Sequence, residues 1–274
     1  MKKTPLPSAA RCRTRRSIIS DKAKSIATRT AAILFWLCAW ELLSRAVAQE
    51  LLLVSPVKAV KTLWRMMGTG DFYRAVLFSF GKILTGFALG TIAALLLAWA
   101  GKASAFVKAL LSPLMTAAKA MPVASFVILA LVWIKADNLS VLIAFLMVLS
   151  VVYGNVLTGL ENTSTELLEM ARVFRMRRRE QISAIYIPQA FPYFLAACRS
   201  ALGMCWKAGV AAEVIGQPDG SIGDKLYRAK LFWSTDELFA WTLAIVLISV
   251  AFEKIALVFF ARLSHLFGGG QAHD

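Results

Sequence analysis

The chain has little charge for its length. Of its 274 residues, only 17% are charged and 58% are hydrophobic, with a mean hydropathy of +0.64. Soluble domains usually have about 25% charged and roughly 45–50% apolar residues. Two windows contain no charged residue: the 19 residues of 83–101 and the 23 residues of 138–160. Because a helix needs roughly 20 apolar residues to cross the hydrocarbon core, the composition indicates a polytopic membrane protein rather than a soluble domain.

The residue sets of familiar enzyme sites are also missing. The two histidines, His265 and His273, lie near the C-terminus, and no HExxH motif or Ser/His set occurs within the apolar segments. No GxxxxGK[ST] sequence is present, since the glycines and lysine of 220–225 have a different spacing. We therefore expect no enzyme activity, no metal and no cofactor in this chain. Any nucleotide hydrolysis would have to come from another chain.

Cysteine is scarce as well. The four cysteines are Cys12, Cys38, Cys198 and Cys205. Cys198 and Cys205 share a helix face but lie about 10 Å apart along it, which is too far for a disulfide. Without a CxxC pair, the sequence indicates neither a disulfide framework nor a metal site.

The charge that is present is mostly positive. The net charge is +15, with nine Lys or Arg and one Asp in residues 1–30, and five arginines between Arg172 and Arg179. Nucleic-acid binding is one use of such charge, but these clusters flank apolar segments. Under the positive-inside rule this pattern is typical of cytoplasmic loops. We predict a multi-pass protein of the cytoplasmic membrane, with its N-terminus in the cytoplasm and no nucleic-acid partner.

The apolar segments predict an all-α fold with about six transmembrane helices. The predicted spans are about 28–48, 74–100, 106–135, 139–160, 190–213 and 237–260. Residues 56–70 predict a short amphipathic helix at the membrane surface. This topology places residues 161–189, which we call the cytoplasmic segment, inside the cell, and residues 216–236 outside it.

Packing and bending of the spans can also be predicted. Gly86 and Gly90 have the GxxxG spacing that lets two helices approach closely. The third span contains Pro113 and Pro122, with Lys119 between them. Proline removes a helix hydrogen bond. The span is therefore either a kinked helix facing a polar cavity or a cytoplasmic half-helix followed by a short span, and the sequence leaves both open.

Three polar residues within the spans are candidate pathway or gate residues. Asn155 would by default bond to another helix, whereas the ionisable Lys207 and Glu213 are expensive in a membrane and are functional candidates. Six residues on a helix correspond to about 240° of rotation, so Lys207 and Glu213 do not pair within their own helix. Lys207 either faces a pathway, where it would attract an anion, or pairs with another helix, which is the favoured alternative.

The cytoplasmic segment predicts two short helices. Residues 163–166 have the spacing of a capping box at a helix start, and the helix that follows runs to about Phe174 with one apolar side. A second helix, about 178–186, is expected to stop before Pro188. Together they would form a docking knob for another protein. A basic loop lying on lipid headgroups is the alternative, but it would explain the arginines and not Glu166 and Glu169.

Residues 169–188 resemble the EAA loop of ABC-importer permeases. That loop reads Glu-Ala-Ala, three residues, Gly, nine residues and Ile-x-Leu-Pro. Here Glu169-Met170-Ala171 and Ile185-Tyr186-Ile187-Pro188 keep the outer spacing, and Arg175 replaces the glycine. A non-glycine residue takes a positive φ only at a cost, so either the turn differs or the helix runs on.

The resemblance extends over most of residues 50–262, to the nitrate/sulfonate/taurine branch of that family. It is carried by Asn155, Gly159, Phe191-Pro192, Arg199, Gly203, Trp206, Ala212-Glu213 and the Gly220-Ser-Ile-Gly223 turn. It implies a type I ABC-importer permease fold in a bacterial cytoplasmic membrane. Residues 1–29 would then be a basic cytoplasmic tail, 30–262 the permease domain with its core at about 74–262, and 263–274 a flexible tail.

The resemblance also implies the partners and the site. A permease homodimer would move a small solute such as a sulfonate, taurine or nitrate, delivered by an extracytoplasmic solute-binding protein. Cytoplasmic ABC ATPase subunits would hold the ATP. The implied ATPase-coupling residues are Glu169, Met170, Ala171, Phe174, Arg175, Ile185, Ile187 and Pro188. A membrane protein with a regulatory docking loop and a secondary transporter remain alternatives, although no inverted repeat is visible.

Overall fold

A computed structural model describes residues 28, 30–47, 49 and 51–267, and the regular elements in these residues are helical. Residues 1–27 of the predicted basic tail and residues 268–274 of the predicted C-terminal tail lie outside the described residues. The helices are α1 (Thr30–Val47), α2 (Pro56–Met67), α3 (Gly70–Ala103), α4 (Ala105–Ala120), α5 (Val123–Ala130), α6 (Leu139–Glu161), α7 (Thr165–Val173), α8 (Arg178–Gln181), α9 (Ile187–Gly216), α10 (Ile222–Leu231) and α11 (Thr235–Phe267).

Within these residues, four helical stretches are long and apolar enough to cross a membrane. They are α1, α3, residues 136–161 with α6, and the first part of α11; α4 and α5 together form a bent fifth candidate. The remaining predicted span, α9, has 30 residues and is therefore about 45 Å long, but it carries Arg199, Lys207 and Glu213. The prediction of an all-α polytopic membrane protein is confirmed.

The third predicted span is broken at Pro122. Helices α4 and α5 are bent by 105° across Met121 and Pro122, which both have extended backbone. A residue before proline avoids the helical conformation, so the helix ends there. Pro113 lies inside α4 without ending it. Of the two alternatives, the structure has the pair of shorter helices.

The contacts divide the chain into two units, one up to Lys61 and one from Thr62. In the first unit, the Trp40 indole N–H donates to the Val54 carbonyl at 3.1 Å, and the Ser44 hydroxyl donates to the Leu53 carbonyl at 3.0 Å. These bonds hold the segment after α1 against that helix. The apolar part of the first unit therefore folds back on itself.

Helix α6 is the centre of the second unit. It is packed between α3 and α9, and its buried residues include Leu139, Ile143, Val148, Val152 and Leu160. Helix α9 runs antiparallel to it, because Gly216 lies against Leu139 at one end and Gly159 lies against Tyr193 at the other. Trp206 on α9 donates to the Ile245 carbonyl of α11 at 3.2 Å, which joins α11 to this layer.

The predicted GxxxG packing face is confirmed. A Cβ atom on Gly86 would lie 2.4 Å from the Val141 carbonyl oxygen, and one on Gly90 would lie 2.7 Å from the Phe145 carbonyl oxygen. A real Cβ atom does not come this close to a neighbouring backbone oxygen. Helices α3 and α6 therefore approach at a distance that only glycine allows. The two glycines set the spacing of the central helices.

We expect Gly86→Ala to destabilise the protein by about 2 kcal/mol, because the added methyl group must push α6 away. Gly81 is the matched control, since it lies in the same helix and a Cβ there would meet nothing within 4 Å. Gly81→Ala should stabilise α3 by up to about 1 kcal/mol through helix propensity alone. Thermal unfolding of the two variants in detergent checks the opposite signs, and equal effects would contradict the packing argument.

Candidate functional site

The first helix of the cytoplasmic segment, α7, starts one residue later than predicted. Its N-cap is Ser164, whose hydroxyl accepts a hydrogen bond from the Leu167 N–H at 3.3 Å. The N–H of Ser164 donates to the Gln189 side chain at 2.8 Å, so Gln189 supplies the reciprocal bond that a capping box assigns to a glutamate. Thr163 instead donates its hydroxyl to the Leu160 carbonyl. The start of α7 is thereby tied to the start of α9.

The end of α7 shows how the chain turns at Arg175, where the related loops have glycine. Arg175 has φ 50°, so the left-handed turn is kept without the glycine. The Met176 N–H donates to the Ala171 carbonyl at 2.9 Å, and the Arg175 N–H donates to the Arg172 carbonyl at 3.0 Å. These two bonds are those of a Schellman motif, which ends a helix with one left-handed residue. The helix therefore does not run on.

We expect Arg175→Gly to stabilise the end of α7 by about 1 kcal/mol, because glycine takes a positive φ without the Cβ clash. Arg179→Gly is the control, since Arg179 lies inside α8 and glycine there should cost up to about 1 kcal/mol. Proteolysis or hydrogen exchange of the cytoplasmic segment would measure both. Loss of protection in Arg175→Gly would contradict the strained-turn interpretation.

Helix α7 combines buried anchors with an exposed apolar side. Ala171 is fully buried and Ile185 is 4% exposed, whereas Val173 is 80% and Phe174 72% exposed. Met170 is also exposed, at 45%. The anchors fix the position of the helix, and the exposed apolar residues have no partner surface within the described part of the chain. Such a surface is suited to binding another protein.

Glu169 lies on the same exposed helix. Its side chain is solvent-accessible, and no ion pair involving it occurs among the residues that the structure describes. It is surrounded in sequence by Arg172 and Arg175, which are also exposed. The exposed side of α7 therefore presents an acidic group and basic groups beside its apolar residues.

The second predicted helix does not stop before Pro188, so this expectation is wrong. Helix α8 passes into a π-helical turn at Ile182–Tyr186 and then directly into α9. Pro188 lies in the first turn of α9, where the missing N–H is least costly, and the wider π turn precedes it. The exposed Ile187 and Pro188 thus belong to α9.

The π turn is held against the end of α3. The rings of Trp99 and Tyr186 meet edge to face at 5.9 Å, and the Lys102 ammonium lies 5.8 Å from the Tyr186 ring centre. The cytoplasmic segment is therefore connected to α9, through the continuous backbone and Gln189, and to α3.

Two of the three polar residues predicted within the spans are exposed. Asn155 does not bond to another helix, contrary to its expected default, because its amide N–H donates to the Val151 carbonyl of its own helix at 2.9 Å. Lys207 is exposed on α9 and forms no ion pair with a described residue, so the favoured structural pairing is not found. Both side chains therefore face the outside of the single chain.

Glu213 is different, because its side chain is fully buried. One carboxylate oxygen accepts from the Ser79 hydroxyl at 2.6 Å and from the Gly223 N–H at 3.4 Å. Ser79 in turn accepts from the Ile222 N–H at 3.0 Å. Glu213 and Ser79 thus cap the start of α10 and join it to α9 and α3. In this structure Glu213 does not line an open surface, and its assignment as a pathway or gate residue stays a prediction.

Sequence reasoning missed Ser79 and Gln189 as partners. Ser79 lies 134 residues from Glu213 in the chain, and no local pattern connects them. A buried carboxylate needs hydrogen-bond donors, so the sequence could have indicated that Glu213 has partners but not which ones. Gln189 follows Pro188 directly, and only the continuation of the helix through the proline brings it to Ser164.

A family model and several known permeases match this chain. Residues 77–266 match the model of the family described as binding-protein-dependent transport system inner membrane component. The aliphatic sulfonates transport permease SsuC of Bacillus subtilis, itself described as putative, is 28% identical over 195 residues, covering 71% of this chain and 70% of that protein. The nitrate import permease NrtB of Synechococcus elongatus is 25% identical over 221 residues, covering 77% and 78%.

A solved structure supports the same fold. The crystal structure of an amino acid ABC transporter with histidines aligns at a TM-score of 0.58 and 19% identity, over 73% of this chain and 97% of that one. The family match covers well over half of the chain, including α3 to α11 and the whole cytoplasmic segment. The chain therefore belongs to the binding-protein-dependent transport system inner membrane components, the transmembrane permease subunits of ABC importers.

Proposed function

We propose that this permease imports a small anion, such as a sulfonate, taurine or nitrate. Two relatives are named for aliphatic sulfonates and for nitrate, and both of these solutes are anions. Lys207 is exposed on a membrane-spanning helix without an ionic partner among the described residues. A cation in that position favours the passage of anions. Asn155 and Lys207 line the pathway, and Glu213 holds α10 at its outer end.

The cytoplasmic segment is the site that couples transport to ATP. The observation that supports it best is the exposed apolar side of α7, with Phe174 72% exposed, on a helix anchored by the fully buried Ala171. Met170 and Phe174 fill a cleft on a cytoplasmic ABC ATPase subunit, Glu169 anchors the helix there, and Arg175 shapes its end. Ile185, Ile187 and Pro188 form the base that passes the movement to α9. The ATP is held by the ATPase subunit.

The assembly is a homodimer that receives its solute from an extracytoplasmic binding protein. The family name states dependence on a binding protein, and Lys207 and Asn155 lie on the exposed surface of a single copy. A second copy facing this surface would complete the pathway. The positive charge of residues 1–29 places the N-terminus in the cytoplasm, residues 30–262 form the permease domain, and 263–274 form the tail.

Co-expression with its ABC ATPase and purification through a tag on this chain test the proposed function. The ATPase should co-purify, and proteoliposomes should take up solute only when ATP and the binding protein are both supplied. Solute movement by the chain alone would overturn the proposal. Assays with taurine, methanesulfonate and nitrate, against a neutral amino acid, would show whether the solute is an anion.

A further inference from the structure

Lys119 lies at a particular place in the fold. It is in the last turn of α4, two residues before the break at Met121, and its side chain is exposed. Its ammonium nitrogen lies beside Gly154 of α6, where an added Cβ atom would be 2.9 Å away from it. Gly154 precedes the end of α6 at Glu161 by seven residues, or roughly 10 Å. Lys119 is therefore within the cytoplasmic half of the membrane in the six-span topology.

The two lysines of α4 differ in their ionic partners. Lys108 pairs with Glu161 at 2.5 Å, whereas Lys119 forms no ion pair with any residue in the part of the chain that the structure describes. An uncompensated cation is costly in lipid, and such residues usually face the protein interior or a water-filled cavity. Lys119 therefore faces water or an anionic ligand rather than lipid.

The surface beside Lys119 is polar. The exposed residues after Gly154 are Asn155, Thr158 and Glu161 on α6 and Asn162 just beyond its end. The carboxylate of Glu161 is paired with Lys108. The exposed side of α3, in contrast, carries large apolar residues, including Leu84, Ile92 and Leu96. Apolar side chains such as these are typical of a helix surface that faces lipid. The exposed side of α6 thus lines an aqueous space, and Lys119 lies at its edge.

The hydrogen bonds of this surface leave donors for a ligand. The Thr158 hydroxyl donates to the Gly154 carbonyl at 2.8 Å, and one amide N–H of Asn155 donates to the Val151 carbonyl at 2.9 Å. The second amide N–H of Asn155 and the three N–H groups of Lys119 remain. Asn155 directly follows Gly154, against which the Lys119 ammonium lies. Ammonium and amide donors are suited to the oxygens of a small anion.

We propose that Lys119 and Asn155 form an anion site on the cytoplasmic half of the solute pathway, with a small oxyanion as its ligand. The inference rests on the proposed function, because it places the imported solute against α4 and α6. A lysine in the last turn also complements the helix dipole of α4. If this were the only role of Lys119, its replacement would change the stability of α4. It would not change how well the space beside Thr158 accepts an anion.

The rate of thiol modification measures the charge of this space directly. Thr158→Cys is introduced into a background lacking the four native cysteines, and the full chain is labelled in membrane vesicles. Two methanethiosulfonate reagents are used, an anionic one (2-sulfonatoethyl) and a cationic one (2-trimethylammonioethyl). The labelling rate of each is divided by its rate with a free thiol in solution, and the two ratios are compared. Ile92→Cys on the apolar side of α3 is the reporter of a lipid-facing position.

We expect the anionic reagent to be favoured at Thr158→Cys by about tenfold or more, as for a site lined by one sign of charge. Lys119→Gln should remove this preference, and Lys119→Arg should keep it. Replacing Lys108 and Glu161 together by glutamine should leave it unchanged, because this ion pair carries no net charge. Ile92→Cys should react with neither reagent.

Two results would overturn the inference: no reaction at Thr158→Cys with either reagent, or a preference that Lys119→Gln does not change. Neither outcome requires the ATPase, so the failure of this site is distinguishable from failure of the proposed function. If the ATPase co-purifies but the preference is absent, only the anion site is wrong. If the preference is present but solute moves without an ATPase, the site stands and the proposed coupling is wrong.

Discussion

Replacing Glu169 with lysine is expected to abolish solute uptake and co-purification of the ATPase, while the chain still inserts in the membrane. Glu169 is exposed on α7 and has no ionic partner among the described residues, so its replacement breaks no ion pair within them. At the proposed interface with the ATPase subunit, the lysine would place a positive charge opposite the group that pairs with the Glu169 carboxylate. Truncating or reversing one member of such a pair costs about 2–5 kcal/mol, or at least about 30-fold in Kd.

The measurement separates docking from folding. Pull-down through the tagged chain reports the ATPase, and size-exclusion chromatography of the detergent-solubilised chain reports its folding. Glu253→Lys is the matched control, because Glu253 is also exposed but lies on α11, far along the chain from the cytoplasmic segment. It should leave both assembly and uptake intact.

An intermediate variant makes the interpretation sharper. Glu169→Gln keeps the shape of the side chain and removes only the charge, so it should weaken the ATPase interaction less than Glu169→Lys. Normal uptake by Glu169→Lys would remove α7 as the coupling site. In that case the exposed Phe174 and Met170 would need another partner.

The overall architecture was predictable because it depends on local composition. Charge-free windows of about 20 residues indicate spans wherever they occur, and the GxxxG spacing of Gly86 and Gly90 identified the contact between α3 and α6. The position of the cytoplasmic segment followed from its arginines. These features need only short stretches of sequence. The structure confirms the apolar helices and the glycine contact, and the cytoplasmic location of the segment stays a prediction.

The details of the candidate site were less predictable, because they depend on contacts between distant segments. The N-cap of α7 is Ser164 rather than Thr163, since Gln189 from α9 takes the Ser164 N–H. The helix passes through Pro188 because a π turn precedes it, and no propensity scale predicts such a turn. For Arg175, the sequence identified the unusual position, but both outcomes were open until φ was known.

The same distinction separates the two ionisable residues of α9. Lys207 and Glu213 look alike in the sequence, as charged groups in an apolar helix, but the first is exposed and the second is buried. Their separation of six residues puts them on different sides of α9, as predicted. The neighbouring helices decide which of these sides is buried and which is exposed. The burial of Glu213 comes from α10, which follows α9 closely in the chain, and from α3, whose Ser79 lies 134 residues away.

Glu213→Ala is accordingly expected to destabilise the protein strongly. It would leave the Ser79 hydroxyl and the Gly223 N–H without their acceptor and would open a cavity between α3, α9 and α10. Each unsatisfied buried group costs about 1–3 kcal/mol, so the loss should be about 4 kcal/mol, or roughly 10 °C in Tm. Glu213→Gln retains one acceptor oxygen for Ser79 and Gly223 and should lose much less.

The control and the readout decide between a structural and a pathway role for Glu213. Asp219→Ala removes a carboxylate from the same outer segment, but that side chain is 95% exposed, so an effect below about 1 kcal/mol is expected. Hydrogen exchange of the first turn of α10 should rise in Glu213→Ala and not in Asp219→Ala, because Glu213 and Ser79 accept the N–H groups of that turn. Reduced uptake at an unchanged Tm would instead assign Glu213 to the pathway. If uptake, Tm and the protection of α10 all fall together, the role of Glu213 is structural. The pathway would then require the closed packing of α10 and not a contact between Glu213 and the solute.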